Sequence, residues 1–334
     1  MEHIIWQIKS ELVPKVNLNI GNYTAIYNEH ETIEEDLLDI INQYFKKRNS
    51  NKNEVSIIDI LNQEPVSNLE YESIIIDNNK IEEEHALSSS SILNKKILRD
   101  YSNNIESSGY INSMNILLSD LLEIINHNNL PLKTKPFDIK QFIKLLKFEF
   151  ELKKDYSKLI TRIENILPLI VEELNIQFSN NLLLIYLYPE ANLSPNEQIK
   201  LKSLLESLGI KIIVLTGSLH FMSKEWNFNN YIRNEEQKIN NAFIDKLLWH
   251  APLNYQRKEL EESLNRFILT YHDKIEVEPT ISNYQISQIM LFNSIDLYVG
   301  ISYLLHCNHK FKLNLKDELL SESIKKYIEQ LPIY

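Results

Sequence analysis

A chain of 334 residues with 43% hydrophobic and 24% charged side chains is long enough to bury a sizeable core and to hold two or three domains. Its formal net charge of −11 excludes a protein that coats nucleic acid with its whole surface, though not one with a localised basic lining. The single cysteine, Cys307, excludes an intramolecular disulfide framework. No basic start leads into an apolar run, and none of the apolar runs reaches the roughly 18 residues that span a bilayer, so a cytoplasmic protein with no membrane partner is expected.

Residues 15–20 and 23–27 read as strands around Gly21-Asn22, a hairpin signal. Residues 32–46 are helical, with Ile33, Leu37, Ile40, Ile41 and Tyr44 on one face. Residues 56–60 and 73–76 read as further strands. The acidic run 82–84 and the serines at 88–91 suggest a loop between substructures. From 93 to 177 the pattern turns helical, with amphipathic stretches at 111–125, 136–150 and 156–174.

Residues 181–215 then read strand, helix, strand. Residues 182–188 form a continuous apolar run, the pattern of a strand buried on both faces of a parallel sheet. Ser194, Pro195 and Glu197 make a capping-box helix start with proline at the first helical position. Leu201, Leu204, Leu205 and Leu208 share a face, Gly209 suits the left-handed position after the helix, and 210–215 is the second strand. Beyond 234 the chain reads as helical at 235–249, 254–271, 282–305 and 315–330. The pattern predicts an α/β head at 1–84 and 178–234, a helical leg at 85–177 and a C-terminal helical extension at 235–334.

Strand-helix-strand units of this kind belong to nucleotide-hydrolase-like folds, yet the chain has five glycines and no phosphate loop. The first strand-to-helix turn, residues 28–32, carries acids and is followed by Glu34, Glu35 and Asp36. Such side chains stabilise a helix N-terminus and repel a phosphate placed there. Glu190 stands where a metal-binding acid would follow a buried strand; without a phosphate loop it reads as a surface carboxylate. His306, Cys307 and His309 fit no common zinc spacing, so no metal and no catalytic residue is assigned.

One charge pattern remains. Lys133 and Lys135 precede a helical stretch bearing Lys140, Lys144 and Lys147, and Lys154 and Lys158 continue at about the same angle. Such a run is ordinarily a solvated face. Its sharper reading is a basic stripe for a polyanion backbone, repeated by symmetry in an oligomer to line a channel.

The segments LLLIYLY and NLSPNEQIKLKSLLESLGIKIIVL, with TAIYNEHETIEEDLLDIINQY and SIIDIL upstream, resemble the CRISPR-associated adaptation proteins of type II-A systems, the Csn-two family. The resemblance covers roughly residues 12–234, and the remaining length looks like the family's larger subgroup. It implies an α/β head with a helical leg and a ring-shaped homotetramer that threads double-stranded DNA from its ends. The implied role is spacer acquisition beside the adaptation integrase and the RNA-guided effector nuclease, with no enzymatic activity of its own. Family members hold calcium with acidic leg residues, but residues 127–138 here carry one acid, Asp138, so no calcium ligand and no cofactor is carried over. The rivals are a divergent nucleotide hydrolase or nuclease on the same framework, and a pure assembly scaffold with solvated lysines.

Overall fold

The computed structural model describes residues 4–11, 13–28, 33–46, 55–125, 133–146, 148–150, 158–178 and 181–331. In chain order, β1 (Ile4–Lys9), β2 (Val16–Ile20), β3 (Tyr23–Tyr27), α1 (Glu34–Phe45), β4 (Ser56–Asp59), β5 (Glu64–Pro65) and β6 (Tyr71–Ile76) come first. A helical run follows: α2 (Asn78–His85), α3 (Ile92–Asn103), α4 (Ile105–Ile125), α5 (Ile139–Leu145) and α6 (Leu159–Gln177). The chain returns to sheet with β7 (Asn181–Leu187), α7 (Pro195–Ser207), β8 (Lys211–Thr216), β9 (Asn229–Arg233) and β10 (Glu236–Gln237). It continues through α8 (Asn241–Trp249), α9 (Arg257–Tyr271), β11 (Thr280–Ser282), β12 (Ile289–Met290), α10 (Ser294–His306), β13 (Lys312–Asn314) and α11 (Glu322–Glu329). The chain divides into two compact units, residues 1–77 with 178–334, and residues 78–177.

The first unit is built on a six-stranded sheet of order β10-β9-β3-β8-β7-β6, parallel except at β10. Alternation along each strand sends neighbouring side chains to opposite faces. Ile26 and Ile232 join a core with Trp6, Leu18 and Leu37, built from the antiparallel sheet β2-β1-β4-β5 and α1. Ala25, Tyr27 and Tyr231 join the core made with α8, α9, α10 and α11. Residues 235–334 thus share a core with the parallel sheet. They also contain the small parallel sheet β12-β11-β13, whose two- and three-residue strands are too short to imprint an alternation on the sequence.

The expected hairpin at Gly21-Asn22 is not one. β2 pairs with β1, whereas β3 pairs with β8 and β9, so the two residues carry the chain from one sheet to the other. Neither residue has the positive φ that a tight hairpin turn demands. Gly21 is needed for space: a Cβ there would lie 2.7 Å from the Phe228 ring. The 181–215 unit is as expected, with Ser194 N donating to Glu197 at 2.9 Å, Pro195 opening α7, and Gly209 at φ +67.

Buried amides join β2 to β9, far apart in sequence, and β9 to the adjacent β10. Asn230 accepts from Asn19 N at 2.8 Å and donates to Asn19 O at 3.0 Å, while Gln237 Oε1 accepts from Tyr231 N at 2.8 Å. Each replaces hydrogen bonds that burial would otherwise remove.

In the second unit the acidic run at 82–84 lies in α2 and is no linker. Buried Glu84 accepts from the amides of Ile92 and Leu93, and Ser91 from that of Asn94, so together they cap α3. Glu173 of α6, with no exposed surface, pairs with Arg99 and lies 3.3 Å from Lys96. Capping explains Glu84, which the pattern placed in a loop, and ion pairing explains the buried Glu173. The expected single helix over 136–150 is shorter: α5 ends at Leu145, and Phe148 and Phe150 leave the helical path to pack on Tyr101 and His85. Asp138 accepts from Gln141 N at 2.7 Å and starts α5, so the acid of this stretch serves as a cap.

Candidate functional site: the carboxyl edge of the parallel sheet

In open parallel sheets ligands bind beyond the carboxyl ends of the strands, where connections diverge. Here that edge is formed by Asn28 after β3, Thr216 and Gly217 at β8, and Tyr188 and Glu190 after β7. Asn28 N donates to Thr216 O at 2.9 Å and Tyr188 N to Leu215 O at 2.8 Å, so sheet-like pairing continues past the strand ends. Tyr188 then turns into the left-handed region at φ 47. Its hydroxyl donates to Glu35 in the first turn of α1 and accepts from Asn28 Nδ2. Burial and then the hydrogen bond to Glu35 push the phenol well above its ordinary pKa, so it stays a neutral donor.

Glu190, the candidate metal acid, accepts from Gly217 N at 2.7 Å and from Thr216 Oγ1 at 2.8 Å. Its carboxylate holds the turn after β8, which is a structural use of the group. The first turn of α1 presents Glu34, Glu35 and Asp36, charges that favour the helix N-terminus and oppose phosphate. Residues 29–32 of this turn lie outside the described residues.

The lysine stripe is only partly within the description. Lys133 and Lys135 are exposed before α5, and Lys158 is exposed just before α6. Lys140 and Lys144 fall one turn apart on α5, with side chains outside the description, and Lys147 and Lys154 lie outside the described residues altogether. Residues 146 and 148–150 are not helical, so one continuous helix does not carry the stripe.

His306, Cys307 and His309 disperse among different neighbours. His306 stacks on Phe243 with centroids 4.4 Å apart, Cys307 is buried, and His309 Nε2 lies 2.8 Å from the Tyr231 hydroxyl. Among the described residues no group of three His, Cys, Asp or Glu could hold a metal ion.

Two features escape the sequence reading. Buried His272 lies with ring centroids 4.3 Å from Tyr27 and 4.5 Å from Tyr231, and its Nε2 is 3.0 Å from the Tyr303 hydroxyl. Burial, with a smaller contribution from His309, holds its pKa down at about 3; burial and then Arg233 hold His309 at about 4. Single histidines far apart in sequence leave no motif, so no signal announces them.

The second is α4. Of its 21 residues only Ile111 is buried, while Ile105, Tyr110, Leu117, Ile124 and Ile125 are each more than half exposed. The signal was present: apolar residues run round the helix, so an amphipathic reading of 111–125 was too simple. Among the described residues no helix is long and apolar enough to cross a membrane.

No protein-family model matches this chain, and no curated protein matches it. Among solved structures it is similar to the crystal structure of Stu0660 of Streptococcus thermophilus, with a TM-score of 0.61 at 17% identity. The likeness covers 97% of this chain and 99% of that one, so the two share a fold from end to end, residues 235–334 included.

Proposed function

We propose that this chain is a non-enzymatic protein of CRISPR spacer acquisition that binds double-stranded DNA ends without sequence preference, as a ring-shaped homotetramer. The observation that carries the reading is the carboxyl edge of the sheet, where the first turn of α1 presents Glu34, Glu35 and Asp36 and Tyr188 bonds to Glu35, an arrangement that opposes phosphate. Further support comes from the sequence resemblance to type II-A adaptation proteins and, for the architecture alone, from the fold shared with Stu0660. The exposed apolar side chains of α4 favour assembly, since monomers rarely leave large contiguous apolar surface in water.

On this reading Lys133, Lys135, Lys140, Lys144, Lys147, Lys154 and Lys158 neutralise phosphates, and affinity falls steeply with salt. Cofactors are not required, and the integrase complex and effector nuclease are the expected partners. The test is a mobility shift on linear and closed circular duplexes of one sequence across a salt series. Preference for the linear form, lost at high salt, is expected; equal, salt-insensitive binding of both forms sinks the proposal. Joint replacement of Lys140, Lys144 and Lys147 by Glu should abolish the shift with the solution mass unchanged.

A further inference from the structure

A cavity of about 460 Å3 opens in the sheet unit, lined by none of the carboxyl-edge residues named above. Asn17 and Asn19 of β2 line one wall, Trp226 and Asn227 another, and Glu235 with Glu236 of β10 a third. A greasy ligand would strand these amides; Lys15 and His306 line the cavity as well, and Glu236 is paired with Lys238 at 2.7 Å, so the lining carries both signs of charge. No cation-ligand trio exists among the described residues.

The amides are not all committed to the fold. Asn19 Nδ2 donates to Ile239 O at 2.9 Å, which fixes the side chain and leaves Oδ1 with no partner among the described residues. Asn17 accepts from Gln7 through Oδ1, and its Nδ2 has no partner there. The side chain of Asn227 makes no hydrogen bond to a described residue. The cavity therefore offers an acceptor held in place at Asn19 and further amide groups at Asn17 and Asn227, in a lining that includes Trp226.

Amide donors and acceptors in one lining with an aromatic side chain suit the edge and face of a heteroaromatic base. Asn and Gln side chains pair with purine edges, and unpaired bases stack on aromatic side chains. We infer that this cavity binds a purine base, taken either from a free nucleoside or from an unpaired nucleotide at a DNA end. The base carries the recognised groups, and a phosphate gains no net attraction from a lining that holds both Lys15 and the two carboxylates. This site is independent of the lysine stripe, and the nucleoside measurement requires no DNA binding.

The experiment titrates the full chain with adenosine and guanosine, with cytidine, ribose and adenosine monophosphate as controls, by calorimetry and tryptophan fluorescence. Saturable binding of at least one purine nucleoside is expected, about tenfold weaker in Trp226→Ala, within what base stacking contributes. Trp226 also packs against the core, so Asn227→Ala is the second variant. It should weaken binding with the unfolding temperature unchanged. The inference is overturned if no purine nucleoside binds, if ribose binds as well as the nucleoside, or if the monophosphate binds more tightly. Affinity that survives both substitutions overturns it as well. A duplex with an unpaired purine overhang, competed by the nucleoside while a blunt duplex is not, assigns the DNA end as source; an overhang without effect assigns the free nucleoside.

Discussion

Strands β3, β7 and β8 of the sheet unit carry side chains with no accessible surface, among them Ile26, Ile185 and Leu215, whereas α4 of the helical unit buries only Ile111. The polar groups differ in the same sense. Buried amides in the sheet unit link segments more than two hundred residues apart, while the helical unit uses short-range caps and ion pairs, among them Arg162 with Glu82 and the cluster around Glu173. Residues in the first unit serve its own core. The apolar side chains of α4 have no use within the chain that the described residues reveal, which is why the two regions respond differently to the same substitution.

The largest contrast lies in truncating one apolar side chain. Ile185→Ala empties a position in a parallel strand packed on both faces and should cost about 2–5 kcal/mol in denaturant unfolding. Leu117→Ala, at a side chain 67% exposed, should cost less than about 0.5 kcal/mol. The α4 substitution should instead lower the solution mass, measured by light scattering. If both variants lose equal stability with the mass unchanged, the distinction between core and assembly surface fails.

Acid sharpens the contrast next, because the sheet unit holds the buried imidazoles. Tyr27 from β3, Tyr231 and Arg233 from β9 and Tyr303 from α10 face His272 and His309, and Arg233 lies 3.1 Å from His309 Nε2. Both folded pKa values are depressed, to about 3 and about 4, and His306 moves the same way. The unfolded chain then binds more protons below about pH 6.5. Their stability is complete above that value and is lost as pH falls towards the folded values. At pH 5 each of His272 and His309 should cost about 2 kcal/mol relative to pH 7. His309→Gln should remove about half of that slope, measured by urea unfolding at the two pH values.

A smaller effect of the opposite origin belongs to the helical unit. Glu173 is held down at about 2, first by the Arg99 hydrogen bonds, then by those of Gln177 and Lys96. Its contribution is present above the ordinary carboxylate pKa and lost as pH falls towards 2, a window below that of the histidines. Glu173→Ala should cost about 2 kcal/mol at pH 7, less than the loss typical of a fully buried pair, because Arg99 and Lys96 keep about a third of their surface in water.

Local grammar was readable and tertiary partnership was not. The capping box at Ser194 and Glu197, Pro195 and Gly209 are consecutive signals that agree, so the strand-helix-strand at 181–215 was legible in full. The carboxyl edge was legible in its charge, through the acids of α1, and hidden in its bonding. Nothing beside Tyr188 or Glu190 in sequence names Glu35 or Gly217 as partner. Gly21-Asn22 misled because a crossover between sheets and a hairpin share residue types, and only the pairing of β2 with β1 tells them apart. The buried asparagines were unreadable in a chain where asparagines occur throughout the sequence. The lysine stripe rests on angular spacing, and α5 stops at Leu145 before that spacing runs its length.

The smallest expected effect puts one substitution in each region with opposite sign. Gly209 sits at φ +67 with nothing within 4 Å of an added Cβ, so Gly209→Ala meets no clash and loses only backbone comfort, about 1 kcal/mol. Gly109 lies exposed inside α4, with nothing within 4 Å of an added Cβ and no positive φ. There alanine raises helix propensity and restricts the unfolded chain, so Gly109→Ala should stabilise by about 0.5–1 kcal/mol. Thermal unfolding of the two variants at low concentration separates the cases. If Gly109→Ala destabilises instead, the added methyl must meet a surface that α4 lacks within the described chain. Because the effect of such a surface grows with protein concentration, repeating the measurement over a dilution series would show whether a second copy of the chain supplies it.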